Sequence, residues 1–312
     1  MLKNIIMYHN PEEIGFLNET LDWPRRVGAL VAGSGLAIAS AVAVDGWLCK
    51  RLWPHSETEF RGIDPDAQEQ SLSMGGLGIT CSKGLAEDAE KFLSGAHGYS
   101  IYSNNGFSLS QLGERLHQQL GGIRLLHSNL HSMAGPVGLE TFRRAKTKHL
   151  KLGEIVLNCS PFTNSDAYLG SYTSVVEAVR WPVGPGSKLL FSFVRSMLER
   201  KSILNAWQQA KYDAINGCSP YLFLSQLAAL RRIDLMANLD DYRPLIGPET
   251  KAKYCRPQDP LRDPVVNTVQ AAERYAYFFN KLGVPFEDIL VPNVGHAEGS
   301  PTADFLASRA AR

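Results

Sequence analysis

From about residue 67 onward, short apolar runs alternate with segments whose apolar residues recur every three or four positions. Short apolar runs predict buried strands, and the longer spacing predicts amphipathic helices. The strands are predicted at Ser71–Met74, Tyr99–Tyr102, Ile123–Leu130, Glu154–Cys159, Lys251–Cys255 and Phe286–Val291. The helices are predicted at Leu85–Leu93, Leu109–Leu120, Gly138–Lys148 and Thr268–Leu282. Such alternation predicts an α/β fold, a mostly parallel sheet flanked by helices.

The alternation stops between residues 164 and 250. This block is largely helical, is rich in aromatic and aliphatic residues, and is interrupted by prolines and a glycine. We therefore predict a core domain formed by residues 67–163 and 251–312. Residues 164–250 are predicted to be a helical lid, or cap, inserted between two strands of that core.

The N-terminal part of the chain carries about eighteen residues without a charge, from Val27 to Val44. A helix that crosses a bilayer needs roughly 17 to 25 apolar residues. Tryptophans at both ends fit the membrane interface. We predict an N-terminal segment at 1–26, a single-pass membrane anchor at 27–48 and a linker at 49–66. A cleaved signal peptide and a small-residue helix in a globular core are the alternatives. Basic residues flank both ends of the segment, so they do not fix the side of the membrane.

Charge and cysteine content exclude some classes of function. The 32 Lys and Arg residues are balanced by 31 Asp and Glu residues, so the basic field that attracts nucleic acid is missing. The five cysteines are far apart and form no short-spaced zinc or redox motif. No phosphate-binding glycine motif is present. We expect no metal, no organic cofactor and no nucleic acid, and the sequence does not indicate an oligomeric state.

One serine lies where acyl-transfer chemistry would place a nucleophile. Ser132 follows a predicted strand and precedes a predicted helix, within the segment Leu130-His131-Ser132-Met133-Ala134-Gly135. Acyl transfer needs a hydroxyl on a tight turn, a base to take its proton, and amide donors for the oxyanion. The segment resembles the nucleophile elbow of α/β-hydrolases, with Leu130 and Ala134 in place of the two usual glycines.

Two further segments match that superfamily in the expected order of serine, acid and histidine. Asp259-Pro260-Leu261-Arg262-Asp263 resembles the acid-bearing segment of hormone-sensitive-lipase-like α/β-hydrolases, in which the first aspartate is the acid. The resemblance therefore implies Asp259 as the acid and Asp263 as a charge at the start of a helix. Gly295-His296 follows the last predicted strand and implies His296 as the general base.

The oxyanion hole is expected to use two backbone amides. Met133, directly after the nucleophile, supplies the first. The glycine turn Gly75–Gly78 supplies the second, from Leu77 or Gly76.

These residues predict a serine hydrolase that cleaves an ester of a small-molecule acyl substrate through an acyl-enzyme, and the aromatic insert beside a membrane anchor favours a lipophilic substrate. Amides and thioesters use the same machinery. The alternative is a membrane-tethered binding or scaffold protein that keeps the fold without activity, and Leu130 in the elbow is the feature that favours it. A third alternative, a cofactor-binding α/β protein, is disfavoured because the chain lacks a phosphate-binding signature.

Overall fold

The computed structural model describes residues 57–104, 106–145, 147, 149–167, 220–263, 265–296 and 299–312. Their strands form one sheet in the order β1-β3-β2-β4-β5-β6-β7. The edge strand β1 is antiparallel to β3, and every other neighbouring pair is parallel. A mostly parallel sheet, as predicted, is therefore confirmed.

Strands and helices alternate along the described chain. The strands are β1 (Glu59–Arg61), β2 (Glu69–Met74), β3 (Ala96–Ile101), β4 (Leu125–His131), β5 (Lys151–Asn158), β6 (Ile246–Pro257) and β7 (Phe286–Val291). The helices are α1 (Lys83–Ala89), α2 (Leu109–Leu120), α3 (Ala134–Ala145), α4 (Pro220–Arg232), α5 (Leu239–Tyr242), α6 (Thr268–Lys281) and α7 (Gly299–Ala310).

Apolar side chains cover both faces of the sheet. On β5, Ile155 and Leu157 belong to one core cluster and Val156 belongs to the other, because successive side chains of a strand point to opposite faces. Helices α2, α3 and α6 contribute to the larger cluster, and α1 and α7 border the smaller one. The predicted helical cover on both faces is thus present.

Two predicted boundaries are wrong. The linker predicted at 49–66 contains β1, which pairs with β3 through Phe60 and Ser100, so the folded domain begins before residue 67. The insert predicted to reach residue 250 ends earlier, because β6 begins at Ile246 and pairs there with Leu152. In both places the missed strand residues, the three of β1 and the first few of β6, lie among charged residues and prolines, and pairing with a neighbouring strand outweighs local composition.

Several predictions fall outside the described residues. The N-terminal segment, the anchor at 27–48 and residues 168–219 of the lid are among them. Within the described residues, no helix has the length and apolar character needed to cross a membrane.

Helix α3, which follows Ser132, is held by a buried carboxylate. Glu140 is 3% exposed and accepts hydrogen bonds from Arg143, from Arg144 and from the hydroxyl of Tyr242. Burial alone would raise the pKa of Glu140, but the hydrogen bonds from Arg143 and Arg144 outweigh it and hold that pKa below its usual range. The ionised carboxylate is therefore the form that stabilises the helix.

We expect Glu140→Gln to lower the free energy of unfolding at pH 7 by about 3 kcal/mol, because the two arginines lose their charged acceptor. A carboxylate with a depressed pKa stabilises the fold above its unfolded pKa of about 4.3, and that contribution is lost as the pH falls through the folded value. The difference between the two proteins should therefore shrink in acid. Urea unfolding of both at pH 7 and pH 3.5 checks this, and a difference that stays constant with pH would contradict it.

Candidate active site

The predicted site residues gather at the carboxyl edge of the sheet. Strand β3 lies on one side of β2 and strand β4 lies on the other. The direction in which successive strands are added to the sheet therefore reverses between β2 and β4. In open α/β sheets this switch point leaves a crevice where ligands bind. The glycine turn follows β2, Ser132 follows β4, and His296 lies beyond the end of β7.

Ser132 forms a strained turn between β4 and α3. Its φ of 55° is left-handed, a conformation that costs a side-chain-bearing residue roughly 1–2 kcal/mol. The turn is held because the Ser132 N–H donates to the Asn158 carbonyl at 2.8 Å and the Gly135 N–H donates to the Ser132 carbonyl at 3.1 Å. Strain of this kind collects at functional sites. The local geometry is therefore that of a nucleophile elbow.

Leu130 fits into the elbow because a glycine on the following helix gives it space. A Cβ placed on Gly138 would lie 2.6 Å from Leu130 Cδ2, so helix α3 can approach β4 only without a side chain there. Leu130 itself is fully buried in the larger core cluster. The glycine at position 138 thus offsets the leucine at position 130, and the turn at Ser132 keeps its tight conformation.

Three side chains form a hydrogen-bonded row at this edge. Ser132 Oγ lies 2.8 Å from His296 Nε2, and His296 Nδ1 lies 2.9 Å from Asp263 Oδ2. The Asp263 carboxylate can only accept, so a neutral His296 carries its proton on Nδ1, and Nε2 accepts from the Ser132 hydroxyl. Asp263 is 2% exposed and Ser132 is 6% exposed, so both hydrogen bonds lie in a largely water-excluded place.

The prediction that Asp259 orients His296 is wrong. Asp259 is exposed, and its Oδ1 accepts the N–H of Leu261 as the N-cap of a short 3₁₀ helix at Pro260–Arg262. Asp263 follows that helix and is the aspartate that contacts the imidazole. It was predicted to be only a charge at the start of a helix. Asp263 Oδ1 accepts from the N–H groups of Val265 and Val266, both at 2.9 Å.

A second buried aspartate connects the loop after β5 to helix α6 and the loop before it. Asp166 accepts from Phe162 N–H, Thr163 N–H and Arg274 Nη1. Its carbonyl accepts from Asn267 N–H at 2.7 Å. The sequence does not reveal this role, since Asp166 lies in the predicted insert and two of its partners, Asn267 and Arg274, are about a hundred residues away in the chain.

His131 is hydrogen-bonded to the loop that carries His296. Its Nε2 lies 3.0 Å from the carbonyl oxygen of His296, to which it must donate. The hydrogen bond holds the backbone of His296 in place. His131 therefore helps to position the imidazole of His296 without contacting Ser132 through that bond.

The glycine turn after β2 lies directly against the serine. A Cβ on Gly76 would lie 2.6 Å from Ser132 Cβ, so only glycine allows this approach. The turn is fixed by Tyr102, whose hydroxyl donates to the Gly75 carbonyl, and by Gln226 of α4, whose Oε1 accepts from Gly78 N–H at 2.9 Å. Gly78 N–H is thereby engaged, whereas the predicted donors Gly76 and Leu77 lie earlier in the same turn.

Solved structures of similar fold include a carboxylesterase of the thaumarchaeon Nitrososphaera gargenis, with 14% identity, a TM-score of 0.52 and coverage of 81% of this chain and 93% of that chain. A bromoperoxidase from Bacillus anthracis has 13% identity, a TM-score of 0.53 and the same coverage of both chains. A thermophilic esterase from Thermogutta terrifontis has 15% identity and a TM-score of 0.50, covering 81% of this chain and 90% of that chain. The chain has the α/β-hydrolase fold.

No protein-family model matches the sequence, and no curated protein does either. The likeness to α/β-hydrolases is thus a likeness of fold, and fold alone does not assign a reaction. The features that indicate a reaction are those of the site itself: the turn at Ser132, the hydrogen-bonded row that ends at Asp263, and the glycine turn beside the serine.

Proposed function

We propose that the chain is a serine hydrolase that cleaves an ester through an acyl-enzyme on Ser132. The observation that carries this proposal is the row Asp263–His296–Ser132, with hydrogen bonds of 2.9 and 2.8 Å on either side of one imidazole. The three side chains come from loops far apart in sequence. No structural need of the fold requires a buried carboxylate, a ring and a hydroxyl to align in this way.

In the proposed mechanism Ser132 Oγ attacks the acyl carbonyl while His296 Nε2 takes its proton. Asp263 keeps the Nδ1 proton in place and stabilises the imidazolium that forms. His296 then gives the proton to the leaving alcohol, which departs and leaves the acyl-enzyme. A water molecule, deprotonated by His296, attacks the ester on Ser132. His296 returns that proton to Ser132 Oγ as the bond to the acyl group breaks, and the acid product leaves.

The developing oxyanion is assigned to the N–H of Met133 and to the N–H of Leu77 or Gly76. Met133 directly follows Ser132 in the chain, and the close approach of Gly76 to Ser132 supports a role for the glycine turn. Backbone donors fixed in this way need no reorganisation when the charge appears, and one such donor accounts for about 10²–10³-fold in rate.

We expect Gln226→Leu to lower kcat about tenfold to a hundredfold with little change in KM. Gln226 Oε1 anchors Gly78 N–H, so its loss lets the glycine turn drift from the position where the oxyanion forms. Gln226→Glu keeps an oxygen acceptor there and should retain more activity than the leucine variant. Steady-state kinetics of the three proteins, with melting temperatures as a control for folding, check this. Equal kcat values in the wild-type and leucine proteins would mean that Gln226 does not position the glycine turn for catalysis.

A catalytically inactive scaffold is the competing function, and Leu130 was the feature that favoured it. Because Gly138 accommodates Leu130 and the serine still meets the histidine, this feature no longer counts against activity.

The substrate is proposed to be a lipophilic ester, because the insert after β5 is rich in aromatic residues and the segment at 27–48, uncharged from Val27 to Val44, is proposed to attach the chain to a membrane in a single pass. Resistance of the full chain to alkaline carbonate extraction tests that attachment.

The test of the function is labelling of the folded protein by a fluorophosphonate probe, followed by mass spectrometry of the modified peptide. We expect one label on the peptide that contains Ser132, and none after heat denaturation. A series of p-nitrophenyl esters of increasing chain length then measures the acyl preference. Folded protein that neither reacts with the probe nor hydrolyses any ester of the series would favour the scaffold.

A further inference from the structure

A thiol lies beside the histidine and the aspartate of the proposed triad. Cys159 directly follows β5, is 6% exposed, and has a left-handed φ of 46°. Its Sγ, a carboxylate oxygen of Asp263 and a ring nitrogen of His296 all lie within 4.8 Å of one another. Within the described ranges, this is the one group of three or more such side chains with ligand atoms so close together.

The donor set has the chemistry of a zinc site. Zinc binds thiolate sulfur at about 2.3 Å, imidazole nitrogen at about 2.0–2.1 Å and carboxylate oxygen at about 2.0–2.2 Å, with tetrahedral geometry. Ligand atoms around one zinc ion are therefore roughly 3.3–3.7 Å apart. His296 Nδ1 and Asp263 Oδ2, now 2.9 Å apart, need to open by about 0.5 Å, and no pair of the three ligand atoms needs to close by more than about 1.5 Å. Rotations about the side-chain bonds of Cys159 and Asp263 would supply these shifts.

Charge also matches a divalent cation. A thiolate and a carboxylate carry two negative charges and a neutral imidazole carries none, so an ion of charge +2 leaves the cluster neutral. A neutral cluster avoids the large penalty of burying uncompensated charge. The sulfur favours zinc(II) and similar thiophilic ions over magnesium, which prefers oxygen ligands.

We propose that Cys159, Asp263 and His296 bind zinc(II) in a site that switches off the hydrolase. Zinc takes the place of the proton between His296 Nδ1 and Asp263. That proton moves to Nε2, and the Cys159 thiol releases one proton to solvent. Nε2 then carries hydrogen and no longer accepts from Ser132 Oγ, so the serine loses its base. This inhibition rests on the proposed function, whereas the binding of zinc does not.

The test compares the wild-type protein with Cys159→Ala and Cys159→Ser, using Cys81→Ala as the matched cysteine control. Hydrolysis of p-nitrophenyl acetate is measured against zinc chloride concentration, and each protein is normalised to its own zinc-free rate. Magnesium chloride serves as the cation control, and a chelator is added at the end. Equilibrium dialysis with zinc chloride measures bound metal in the same proteins without reference to activity. Melting temperatures show whether each variant is folded, and serine nearly preserves the volume of the thiol.

We expect zinc to inhibit the wild-type and Cys81→Ala proteins reversibly, with magnesium inactive. Both Cys159 variants should need about tenfold more zinc or greater for half inhibition, and should bind one zinc fewer. Equal inhibition of all four proteins, or equal zinc content, would overturn the site while leaving the hydrolase intact. If no protein hydrolyses the ester but the wild type still binds one zinc more than the Cys159 variants, the function fails and the site stands.

Discussion

Ser132→Ala is expected to hydrolyse p-nitrophenyl esters about 10⁴-fold more slowly than the wild-type protein and to lose fluorophosphonate labelling completely. In the proposed mechanism the hydroxyl oxygen is the attacking atom, and neither the proposed base nor the proposed oxyanion donors can replace it. Alanine keeps the Cβ of serine, so the left-handed turn at this position carries the same strain in both proteins. Kinetics and gel fluorescence of the purified proteins measure the effect.

Ser128→Ala is the matched control for this result. Ser128 lies on the same strand as the elbow, is fully buried, and its hydroxyl has no partner among the described residues. We expect labelling and kcat of that variant to stay within about twofold of the wild type, because no reacting group is touched. Persistent labelling of Ser132→Ala at the wild-type rate would place the nucleophile elsewhere and end the proposal.

Much of the sheet could be predicted from the sequence because buried parallel strands are short apolar runs. The predicted runs at Ile123–Leu130 and Phe286–Val291 lie within one or two residues of β4 and β7. The edge strand β1 could not be found in this way. It is three residues long, one of them buried and flanked by charge, and only its pairing with β3 makes it a strand.

The hydrogen-bonded pair of Ser132 and His296 was also accessible to sequence reasoning, because Ser132 directly follows a strand and His296 comes after the last strand, in the order that this fold requires. The way in which Gly138 accommodates Leu130 was not. Leu130 and Gly138 are eight residues apart, and their contact exists only because α3 folds back over β4. A missing glycine at one position therefore says little until the facing position is known.

The choice between two aspartates four residues apart shows where the resemblance failed. Asp259 and Asp263 bracket one short 3₁₀ helix. In the structure Asp263 is buried and its carboxylate caps the N–H groups of Val265 and Val266, whereas Leu261 beside Asp259 is 91% exposed. The prediction followed the family pattern, in which the first aspartate of the segment is the acid.

Asp263→Asn should lower kcat about 10⁴-fold, with the protein still folded. The N–H groups of Val265 and Val266 will keep the amide oxygen where Oδ1 now lies, which turns the new NH₂ group toward His296 Nδ1. An NH₂ group donates, so Nδ1 must accept and the ring proton moves to Nε2. In that tautomer His296 cannot take the proton of Ser132, although every distance in the row is preserved. The measurement is steady-state hydrolysis together with the melting temperature.

Asp259→Asn is the matched control, since it makes the same chemical change four residues earlier. Asparagine caps a helix as well as aspartate does, so the hydrogen bond to Leu261 N–H is retained and the exposed site loses only a charge. We expect kcat within about twofold of the wild type. The opposite pattern, with activity lost at Asp259 and kept at Asp263, would mean that the acid follows the family pattern and that the loop after β6 rearranges in solution. Equal loss in both variants would mean that the loop, and not one carboxylate, is what the histidine requires.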